Sequence, residues 1–507
     1  MASSNKTIAK NTIFLSTRMI FVMFVSLYTS RVFLRVLGVE DFGINNVVAG
    51  FVSMFSFLNT SLANGIQRFY NSELSTSGEE GVTKVYNSAL IIQGLIALIV
   101  ALLLESFGVW YMYNEMVIPA ERFTIAMWIF QFSVVSAVLV IMQTPYSAAV
   151  MAYEKMNYFA LVGIVDVILK LLLALILPYA SGDKLWLYGL GNLAIVLFSF
   201  LMYYAYSKFH FHALHIKYCY QKDLLKSMIT FSGWNFLGTF ACMMREQGLN
   251  MVLNQYFGPV VNAARGIAYQ VSSALQGFVH TTSTASKPQM VASYTGGDSS
   301  RTIGLMYTMS KLSFFILYLM AIPLCLEMDY ILHLWLGDVV PDHTANFVIW
   351  VILVNFVNNL NAPLSNVVYA TGQMRNYEMT FSVINLLIIP FAYVALQMGY
   401  PPETVFVIYF VMSMVVQIGC LFVIRKLMKL SLKQYALKLI VPLFVFTVIL
   451  TPIVCFVGCV NVNILLRFLL EILLLISVGT GLFYVVVLNS EERKALNRIL
   501  FRNKKNV

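Results

Sequence analysis

Charged side chains are scarce in this sequence of 507 residues. Only 11% of the residues are Asp, Glu, Lys or Arg, whereas 59% are hydrophobic and the mean hydropathy is +0.78. A soluble domain carries about 25% charged residues, so one water-soluble core cannot hold this much apolar surface. The composition therefore predicts an integral membrane protein, in which uncharged runs of about 20 residues form the spanning helices.

Signals of metal sites and of common enzyme classes are also missing. The six cysteines are scattered and no CxxC pair occurs, so neither a zinc site nor a disulfide framework is expected. No phosphate-binding loop of the P-loop type is present, which gives no support to ATP hydrolysis. A basic folded face of the kind that binds nucleic acid is not visible either. We expect no catalytic residue, no metal site and no cofactor, and we predict a protein that is not an enzyme.

Fourteen apolar stretches have the length of a membrane-spanning helix. Only helices can cross lipid in such stretches, because each must satisfy its own backbone hydrogen bonds. The sequence therefore predicts an all-α integral membrane protein with about fourteen transmembrane helices. The predicted spans are 12–34, 42–64, 85–109, 120–142, 157–178, 185–206, 228–253, 260–284, 303–326, 345–367, 378–397, 402–424, 438–458 and 463–488.

The distribution of lysine and arginine predicts the orientation of these spans. With the N-terminus inside, the inner segments hold 23 Lys and Arg residues, whereas the outer loops hold only Arg35, Arg122 and Lys184. Positive residues are enriched on the cytoplasmic side of membrane proteins. We therefore expect both termini in the cytoplasm and the acidic loop 327–344 outside. The same bias accounts for the net charge of +10.

One stretch of the chain occurs twice. PYSAAVMAYEKMNY begins at Pro145, and PLSNVVYATGQMRNY begins 218 positions later at Pro363. Gly38 and Gly258, each after an apolar run, are 220 positions apart. Self-similarity at a nearly constant offset indicates an internal duplication. Six spans separate equivalent points, so both halves enter the membrane in the same direction and form a parallel repeat.

The duplication predicts four segments. Two six-helix bundles, 1–206 and 228–424, are joined by a cytoplasmic linker, 207–227, and followed by two extra helices and a basic tail, 425–507. The linker contains His210, His212 and His215, which would suit a metal, but their spacing and the lack of a partner cluster favour an exposed linker. In parallel repeats the interface of the two bundles near the midplane is the usual substrate site.

Ten ionisable residues lie inside the predicted spans. Each costs roughly 2.5–3.5 kcal/mol at a helix centre on insertion scales, and therefore usually faces a bundle interior or a wet cavity. Seven are basic and three are acidic. They are Arg18, Arg31, Asp166, Lys170, Arg245, Glu246, Arg265, Lys311, Arg467 and Glu471.

Four of these charges form two pairs of opposite sign, each spaced four residues apart on one helix. Asp166 with Lys170, and Arg467 with Glu471, are predicted to form ion pairs along a helix face. Asp166 is also a candidate for carrying a coupling proton. Arg245 and Glu246 are adjacent and point roughly 100° apart. We therefore expect that they do not satisfy each other and that at least one has a partner elsewhere.

The remaining charges favour an anionic ligand. Without the two predicted pairs, five basic residues stand against one acidic residue, Glu246. The basic residues are Arg18, Arg31, Arg245, Arg265 and Lys311, of which Arg18 and Arg31 could instead reach an interface with their long side chains. Arg265 opens a span that is unusually polar between Ser272 and Thr284, so this span is expected to line the interior. His280 on that face is either a hydrogen-bonded polar residue or a proton relay.

The sequence resembles the bacterial polysaccharide and O-antigen flippases of the multidrug/oligosaccharidyl-lipid/polysaccharide exporter superfamily, which also includes lipid II flippases and MATE transporters. The resemblance is carried by RVFLRVLGVEDFGINN at 31–46, by YATGQMRNY at 369–377, and by the layout of six, six and two spans. It extends over nearly the whole chain. Its motifs are loose, so it is more specific for the superfamily than for the substrate.

The resemblance implies a substrate and site residues. The substrate would be an undecaprenyl-pyrophosphate-linked oligosaccharide, moved from the inner to the outer leaflet by alternating access coupled to protons or sodium. In lipid II flippases a basic cavity meets the pyrophosphate. Their first-helix arginine resembles Arg18, and the A-x-R motif that opens their eighth helix resembles Ala263-Ala264-Arg265. Arg245 and Lys311 match by span only, and Asp41 resembles the acidic residue after their first helix. Asp166, Glu246 and Asp41 are the candidates for ion coupling.

Two other functions remain open at the level of the sequence. A drug or cation extruder has the same architecture but would favour an acidic or aromatic cavity. A membrane glycosyltransferase or polymerase would need a sizeable outer loop with catalytic residues, and the outer loops here are short. The expected partners are the lipid-linked oligosaccharide, membrane lipids and other polysaccharide-assembly proteins, in the bacterial cytoplasmic membrane.

Overall fold

The computed structural model describes the backbone of residues 2–153, 155–217, 222–458 and 463–501. Within the helices, the description excludes the side chains of 1–20, 56–62, 64, 75–76, 156, 222–223, 225–227, 229–236, 280–289, 291–292, 295, 495–496 and 498–501. The chain is 89% helical, and the described residues contain no strand. The prediction of an all-α protein is confirmed.

The described chain contains nineteen α-helical elements and two short 3₁₀ helices, Ala120–Arg122 and Leu177–Tyr179. The first element, α1 (Ala2–Ser53), consists of two helices joined across a kink at Gly38. Four π-helical segments, Leu104–Gly108, Ala436–Ile440, Leu475–Gly479 and Phe483–Val487, join some of the elements without a break. The helices are α1 Ala2–Ser53, α2 Ser56–Thr76, α3 Gly78–Leu103, α4 Val109–Asn114, α5 Phe123–Ala152, α6 Met156–Ile176, α7 Lys184–His210, α8 Lys222–Phe257, α9 Pro259–Thr295, α10 Ser299–Leu326, α11 Met328–Leu336, α12 Thr344–Thr371, α13 Arg375–Gln397, α14 Thr404–Met428, α15 Leu432–Tyr435, α16 Val441–Gly458, α17 Ile464–Leu474, α18 Thr480–Leu482 and α19 Ser490–Phe501.

These helices include the membrane-spanning elements that the composition predicts. By length and hydropathy, eleven helical stretches among the described residues are able to cross a membrane. All fourteen predicted spans overlap helices, but the exact count of fourteen stays a prediction. Several helices run past the predicted ends, as α9 does by continuing to Thr295. Hydropathy marks only the apolar part of a helix, whereas the backbone hydrogen bonds continue through the polar residues beyond it.

The predicted acidic loop 327–344 is partly helical. Residues Met328–Leu336 form α11, so the expectation of a loop throughout this region is wrong. Met328, Leu332 and Leu336 are spaced four residues apart and are all buried, which is the pattern of a short helix packed through one face. A search for uncharged runs of 20 residues does not detect an amphipathic helix of nine.

The chain divides into two compact units. The first comprises Met1–Ile267, Trp335–His343 and Asn385–Val405, and the second comprises Ala268–Leu334, Thr344–Ile384 and Phe406–Val507. Each unit has its own apolar interior, around Val47, Phe51 and Tyr86 in the first and around Tyr318 and Phe446 in the second. The four segments predicted from the duplication, 1–206, 207–227, 228–424 and 425–507, stay a prediction.

The duplicated landmarks have the same local structure in both copies. Gly38 and Gly258 have φ of 79° and 72°, in the left-handed region that a residue with a Cβ adopts only with strain. Pro145 lies inside α5 and Pro363 lies inside α12, and each helix ends a few residues later before the next helix begins. The repeat in the sequence is thus also a repeat in the course of the backbone.

The start of the 207–227 linker packs against α3. His210, His212 and His215 are exposed, as predicted, but Phe211, Ala213 and Leu214 between them are buried. The Thr83 hydroxyl donates to the Ala213 carbonyl at 2.8 Å, and Asn87 on the same helix bonds the backbone of His215 and Lys217. The described part of the linker is therefore bound to the first unit through its apolar residues and its backbone.

Candidate functional site

Helices α8 and α9 form a hairpin around Gly258 that carries three of the predicted site residues. Buried asparagines hold the two helices together: the Asn262 amide donates to the Asn250 carbonyl at 2.8 Å, and the Asn254 amide donates to Asn262 Oδ1 at 3.2 Å. Paired amides of this kind stabilise one register, because a slipped register would leave them unsatisfied in an apolar interior. The hairpin thus fixes Arg245 and Glu246 on α8 relative to Arg265 on α9.

A close approach of α8 and α13 gives Arg245 a partner outside its own helix. A Cβ on Gly248 would lie 2.8 Å from Ile389 Cδ1, so the two helices are in direct contact at this glycine. One turn away, Arg245 Nη1 donates to the Asn385 side-chain oxygen. Arg245 Nη2 also lies 3.1 Å from Glu246 Oε1. The expectation of a partner elsewhere is confirmed, but the expectation that Arg245 and Glu246 do not pair is wrong, because their long side chains bend across the 100° between them.

Arg265 converges on the same glutamate from α9. Its Nη2 donates to the backbone carbonyl oxygen of Glu246 at 2.5 Å. Arg245 and Arg265 are 5% and 6% exposed, whereas the Glu246 side chain is 34% exposed. We call these three residues the Glu246 cluster. One buried guanidinium therefore pairs with the Glu246 carboxylate, and the other binds the Glu246 backbone carbonyl. The carboxylate is the most exposed of the three side-chain groups.

The Glu246 cluster carries a formal charge of +1, which would favour an anionic ligand. A guanidinium group donates parallel hydrogen bonds that match phosphate geometry, and these bonds are stronger than those between neutral groups. The Glu246 carboxylate already occupies Arg245, so it would compete with an incoming phosphate for the same donors. Protonation or displacement of Glu246 would therefore raise the anion affinity of the cluster.

Lys311 lies in a different environment from the one predicted. Its Nζ is 2.7 Å from Glu492 Oε2 in the second unit, and the lysine is only 2% exposed. The Thr308 hydroxyl donates to the other oxygen of Glu492 at 2.7 Å. The predicted count of five unpaired basic residues against one acidic residue is therefore too high, because Glu492 on α19 neutralises Lys311.

The other predicted basic residues are not part of the Glu246 cluster as described. Arg31 Nη2 is 3.9 Å from the Cβ position of Gly337, beside the segment where Trp335 donates to the Leu27 carbonyl at 2.7 Å. The side chains of Arg18 and His280 lie outside the described residues. Their predicted roles therefore stay predictions.

The two predicted intrahelical ion pairs have different outcomes. Lys170 Nζ lies 2.8 Å from Asp166 Oδ2, as predicted. Arg467 pairs with Glu327 instead of Glu471, with Nη2 donating to Oε2 at 2.6 Å, so the second prediction is wrong. Glu327 follows α10 directly and presents both carboxylate oxygens to the guanidinium, a tertiary contact that spacing along one helix cannot reveal.

Asp41, a predicted coupling residue, belongs to an ion-pair network in the first unit. Arg122 contacts Asp41 through Nε at 2.7 Å and contacts Asp183 Oδ2 through Nη1 at 2.6 Å. Asp183 also caps α7 by accepting from the Trp186 backbone N–H at 3.0 Å. Burial acts to raise the pKa of Asp183. The hydrogen bond from Arg122, the charge of Arg122 and the hydrogen bonds from backbone N–H groups act in the opposite direction, and the pKa is lowered below its ordinary value.

Several residues that shape these sites were missed at the level of the sequence. Asn385 is the partner of Arg245, Glu492 is the partner of Lys311, and Glu327 is the partner of Arg467. Asn385 could have been found as a polar residue in the middle of an apolar span. Glu492 is three positions after Asn489, the spacing of a helix capping box, which marks the start of a helix after the last span.

Residues 8–293 match the model of a family described as polysaccharide biosynthesis protein. This match covers more than half of the chain. The chain belongs to this family. No curated protein matches it by sequence.

Solved structures of transporters share the fold of this chain. The lipid II flippase MurJ in an inward closed conformation superposes with a TM-score of 0.70 at 12% identity, over 97% of this chain and 100% of that chain. An inward-facing MATE family multidrug transporter of the MOP superfamily gives 0.68 at 14% identity, over 82% and 98%. A MOP superfamily transporter from Pyrococcus furiosus gives 0.61 at 15% identity, over 83% and 97%. This polysaccharide biosynthesis protein is thus a multi-pass membrane protein with the fold of the MOP superfamily.

Proposed function

We propose that the chain is a flippase for an undecaprenyl-pyrophosphate-linked oligosaccharide. It would move the lipid-linked repeat unit from the inner to the outer leaflet of the bacterial cytoplasmic membrane, by alternating access coupled to protons or sodium. The product would feed the assembly of a surface polysaccharide such as O-antigen or capsule. Membership of the polysaccharide biosynthesis family and the fold shared with MurJ support this proposal.

The observation that carries the proposal is the Glu246 cluster. It joins two buried arginines and one accessible carboxylate, with a formal charge of +1. A pyrophosphate is the part of the proposed substrate that such a cluster recognises, because each guanidinium can donate two parallel hydrogen bonds to phosphate oxygens. A cation extruder would instead place net negative charge at its site, so the same observation disfavours that function.

Glu246 links binding to ion coupling in this proposal. With Glu246 ionised, Arg245 is engaged and the anion site is weak. When Glu246 takes up a proton, its attraction for Arg245 falls and the guanidinium becomes available to the pyrophosphate. Substrate binding and the protonation of Glu246 would therefore be linked thermodynamically, because each changes the free energy of the other. Asp166 and Asp41 remain further candidates for coupling, although each is engaged by a basic residue.

The proposal predicts a transport activity and no bond-making chemistry. The direct test is reconstitution of the protein in liposomes with a fluorescent undecaprenyl-pyrophosphate-linked oligosaccharide, followed by measurement of leaflet exposure with a membrane-impermeant quencher. We expect protein-dependent exposure that an imposed ion gradient accelerates. Exposure equal to that of protein-free liposomes would contradict the proposal.

A second experiment separates a flippase from a synthase. Cells that lack a flippase should accumulate complete lipid-linked repeat units on the inner leaflet. Cells that lack a glycosyltransferase or polymerase should instead accumulate truncated or unjoined units. Mass analysis of the lipid-linked intermediates, together with their accessibility from outside the membrane, distinguishes these outcomes. Other polysaccharide-assembly proteins would be expected as partners and could be sought by crosslinking in the same cells.

A further inference from the structure

Glu471 on α17 is a buried carboxylate that the proposed transport site does not use. It is 0% exposed, and neither of its oxygens has a hydrogen-bond partner among the described residues. The opposite face of α17 is apolar and open, with Leu466, Leu469 and Leu473 each about half exposed or more. Glu471 is therefore turned into the second unit, away from the surface of this helix.

The surroundings of Glu471 contain one positive charge and one other negative charge. Arg467, one turn earlier on α17, pairs with Glu327 and donates from Nη1 to the Gly458 carbonyl at 3.1 Å. Helix α16 packs beside α17 and has no charged residue between Val441 and Gly458; its Cys455 is only partly buried. Gly458, where α16 ends, places its Cβ position 3.4 Å from Glu471 Oε1.

One guanidinium thus lies near two carboxylates and pairs with only one of them. Glu327 already neutralises Arg467, so an ionised Glu471 would be a second, uncompensated negative charge in apolar surroundings. An unpaired buried charge of this kind costs several kcal/mol, and a protein avoids the cost by keeping the group neutral. The neutral acid has no such penalty. A metal ion is poorly suited to the site, since the guanidinium already provides the positive charge between the carboxylates.

We propose that Glu471 is a proton-binding site and that its proton decides which carboxylate Arg467 pairs with. With the proton on Glu471, Arg467 pairs with Glu327, as observed. If Glu471 loses its proton, Arg467 can pair with it across one helical turn, since residues four apart are neighbours on a helix. Glu327 then accepts a proton, so the three groups carry no net charge in either arrangement. One proton moves from a carboxyl of α17 to a carboxyl at the end of α10.

Infrared difference spectroscopy of the full-length protein in lipid nanodiscs tests this proposal without any transport substrate. At neutral pH, Glu471→Gln should remove the carbonyl band of one protonated carboxyl group. Glu327→Gln should remove the same band, because Arg467, released from Glu327, would pair with Glu471 and ionise it. Arg467→Met should add a second band. Asp166→Asn is the matched control and should change nothing in this region, because Asp166 forms a separate ion pair with Lys170.

Two spectroscopic results would contradict the proposal. No loss of a band in Glu471→Gln would mean that Glu471 is ionised, and persistence of the band in Glu327→Gln would mean that Arg467 does not exchange. The thermal stability of Glu471→Gln gives an independent reading: glutamine mimics the neutral acid, so the melting temperature should hardly change. A large drop would contradict the proposal. None of these readings depends on the flippase activity, so failure here and failure of the proposed function are distinguishable.

Discussion

Lys311 Nζ lies 2.7 Å from Glu492 Oε2, which ties α19 to the middle of α10 inside the second unit. Glu492 also closes a capping box at the start of α19: the Asn489 backbone N–H donates to Glu492 Oε2, and the Glu492 backbone N–H donates to Asn489 Oδ1, both at 2.8 Å. One carboxylate thus begins a helix and neutralises a buried lysine. The start of α19 is therefore held against α10 by an acidic residue.

Breaking this pair from one side should be strongly destabilising. Glu492→Gln leaves the Lys311 charge buried without compensation, and removal of one partner of a buried ion pair typically costs about 3–5 kcal/mol. Denaturant unfolding of the purified protein in detergent would measure this loss.

Two variants control this prediction. Thr308→Ala removes only a neutral hydrogen-bond donor to Glu492 and should cost about 1 kcal/mol. The double variant Lys311→Met, Glu492→Gln removes both charges and should be clearly more stable than Glu492→Gln alone. Equal stability of the double and single variants would show that the charge of Lys311 is not the cause.

Asp183 combines a helix cap with an ion pair, and two substitutions separate these roles. Asparagine keeps an oxygen for the Trp186 backbone N–H but loses the charge that faces Arg122, whereas alanine loses both. Loss of a cap costs typically about 1 kcal/mol, so Asp183→Ala should be less stable than Asp183→Asn by about that amount. Melting temperatures at neutral pH would check the order.

The same residue predicts a dependence on pH. The folded state lowers the pKa of Asp183, so its contribution to stability is present above the ordinary value of about 3.9 and is lost as the pH falls through the folded value. Asp183→Asn should therefore lose less stability than the wild type does on acidification below about pH 4. An identical acid sensitivity of the two proteins would contradict this assignment.

The parts of the fold that depend on local chemistry could be predicted from the sequence. Apolar runs mark the helices because each spanning segment must bond its own backbone. Gly38 and Gly258 mark the repeat because the turn at each needs a left-handed residue. The amphipathic α11 was missed because its apolar residues, Met328, Leu332 and Leu336, reveal themselves only by a spacing of four over nine residues.

The site could be predicted only in part, because tertiary packing decides which charged residues pair. Spacing along a helix correctly predicted the pair of Asp166 with Lys170, both of which lie on α6. The same rule failed for Arg467, because Glu327 at the end of α10 pairs with the guanidinium in place of Glu471. The sequence correctly identified the ionisable residues inside the spans as unusual. Their partners could not be predicted from the spacing along the chain.

The predicted topology can be tested at a single position. Asp338 lies next to Gly337 and follows α11 in the acidic region 327–344, which is predicted to lie outside because lysine and arginine are concentrated in the inner segments. Asp338→Cys, made in a background without the native cysteines, should react with a membrane-impermeant maleimide added to intact spheroplasts. A cysteine that replaces exposed Lys208, near the end of α7, is the matched control and should react only after permeabilisation. The reverse pattern would overturn the orientation of every span.

Neutralising the candidate coupling residues should weaken the response to an ion gradient. Glu246→Gln removes the carboxylate that engages Arg245, so it should bind a pyrophosphate probe at least as tightly as the wild type, yet gain little from an imposed gradient in the leaflet-exposure assay. Asp166→Asn should also lose gradient dependence if Asp166 carries the ion, and Lys170→Met then serves as the control for loss of the pair alone. Normal gradient-driven rates in both Glu246→Gln and Asp166→Asn would reject both residues as coupling groups.

Arg265 provides the sharpest test of the pyrophosphate site. Its guanidinium is buried against the Glu246 carbonyl and shares the Glu246 cluster with Arg245. A hydrogen bond to a charged group contributes about 1.5–3 kcal/mol, so Arg265→Ala should bind the lipid-linked substrate roughly ten- to a hundredfold more weakly and lose flipping. Arg265→Lys keeps the charge but loses the planar fork, and should retain part of the activity.

Arg301→Ala removes an exposed arginine from the start of α10 and should flip normally, which controls for a general effect of lost positive charge. All three variants should remain folded in the membrane, as gel filtration would show. If Arg265→Ala flips at the wild-type rate, its guanidinium serves only to hold α9 against α8, and the case for pyrophosphate recognition by this cluster fails with it.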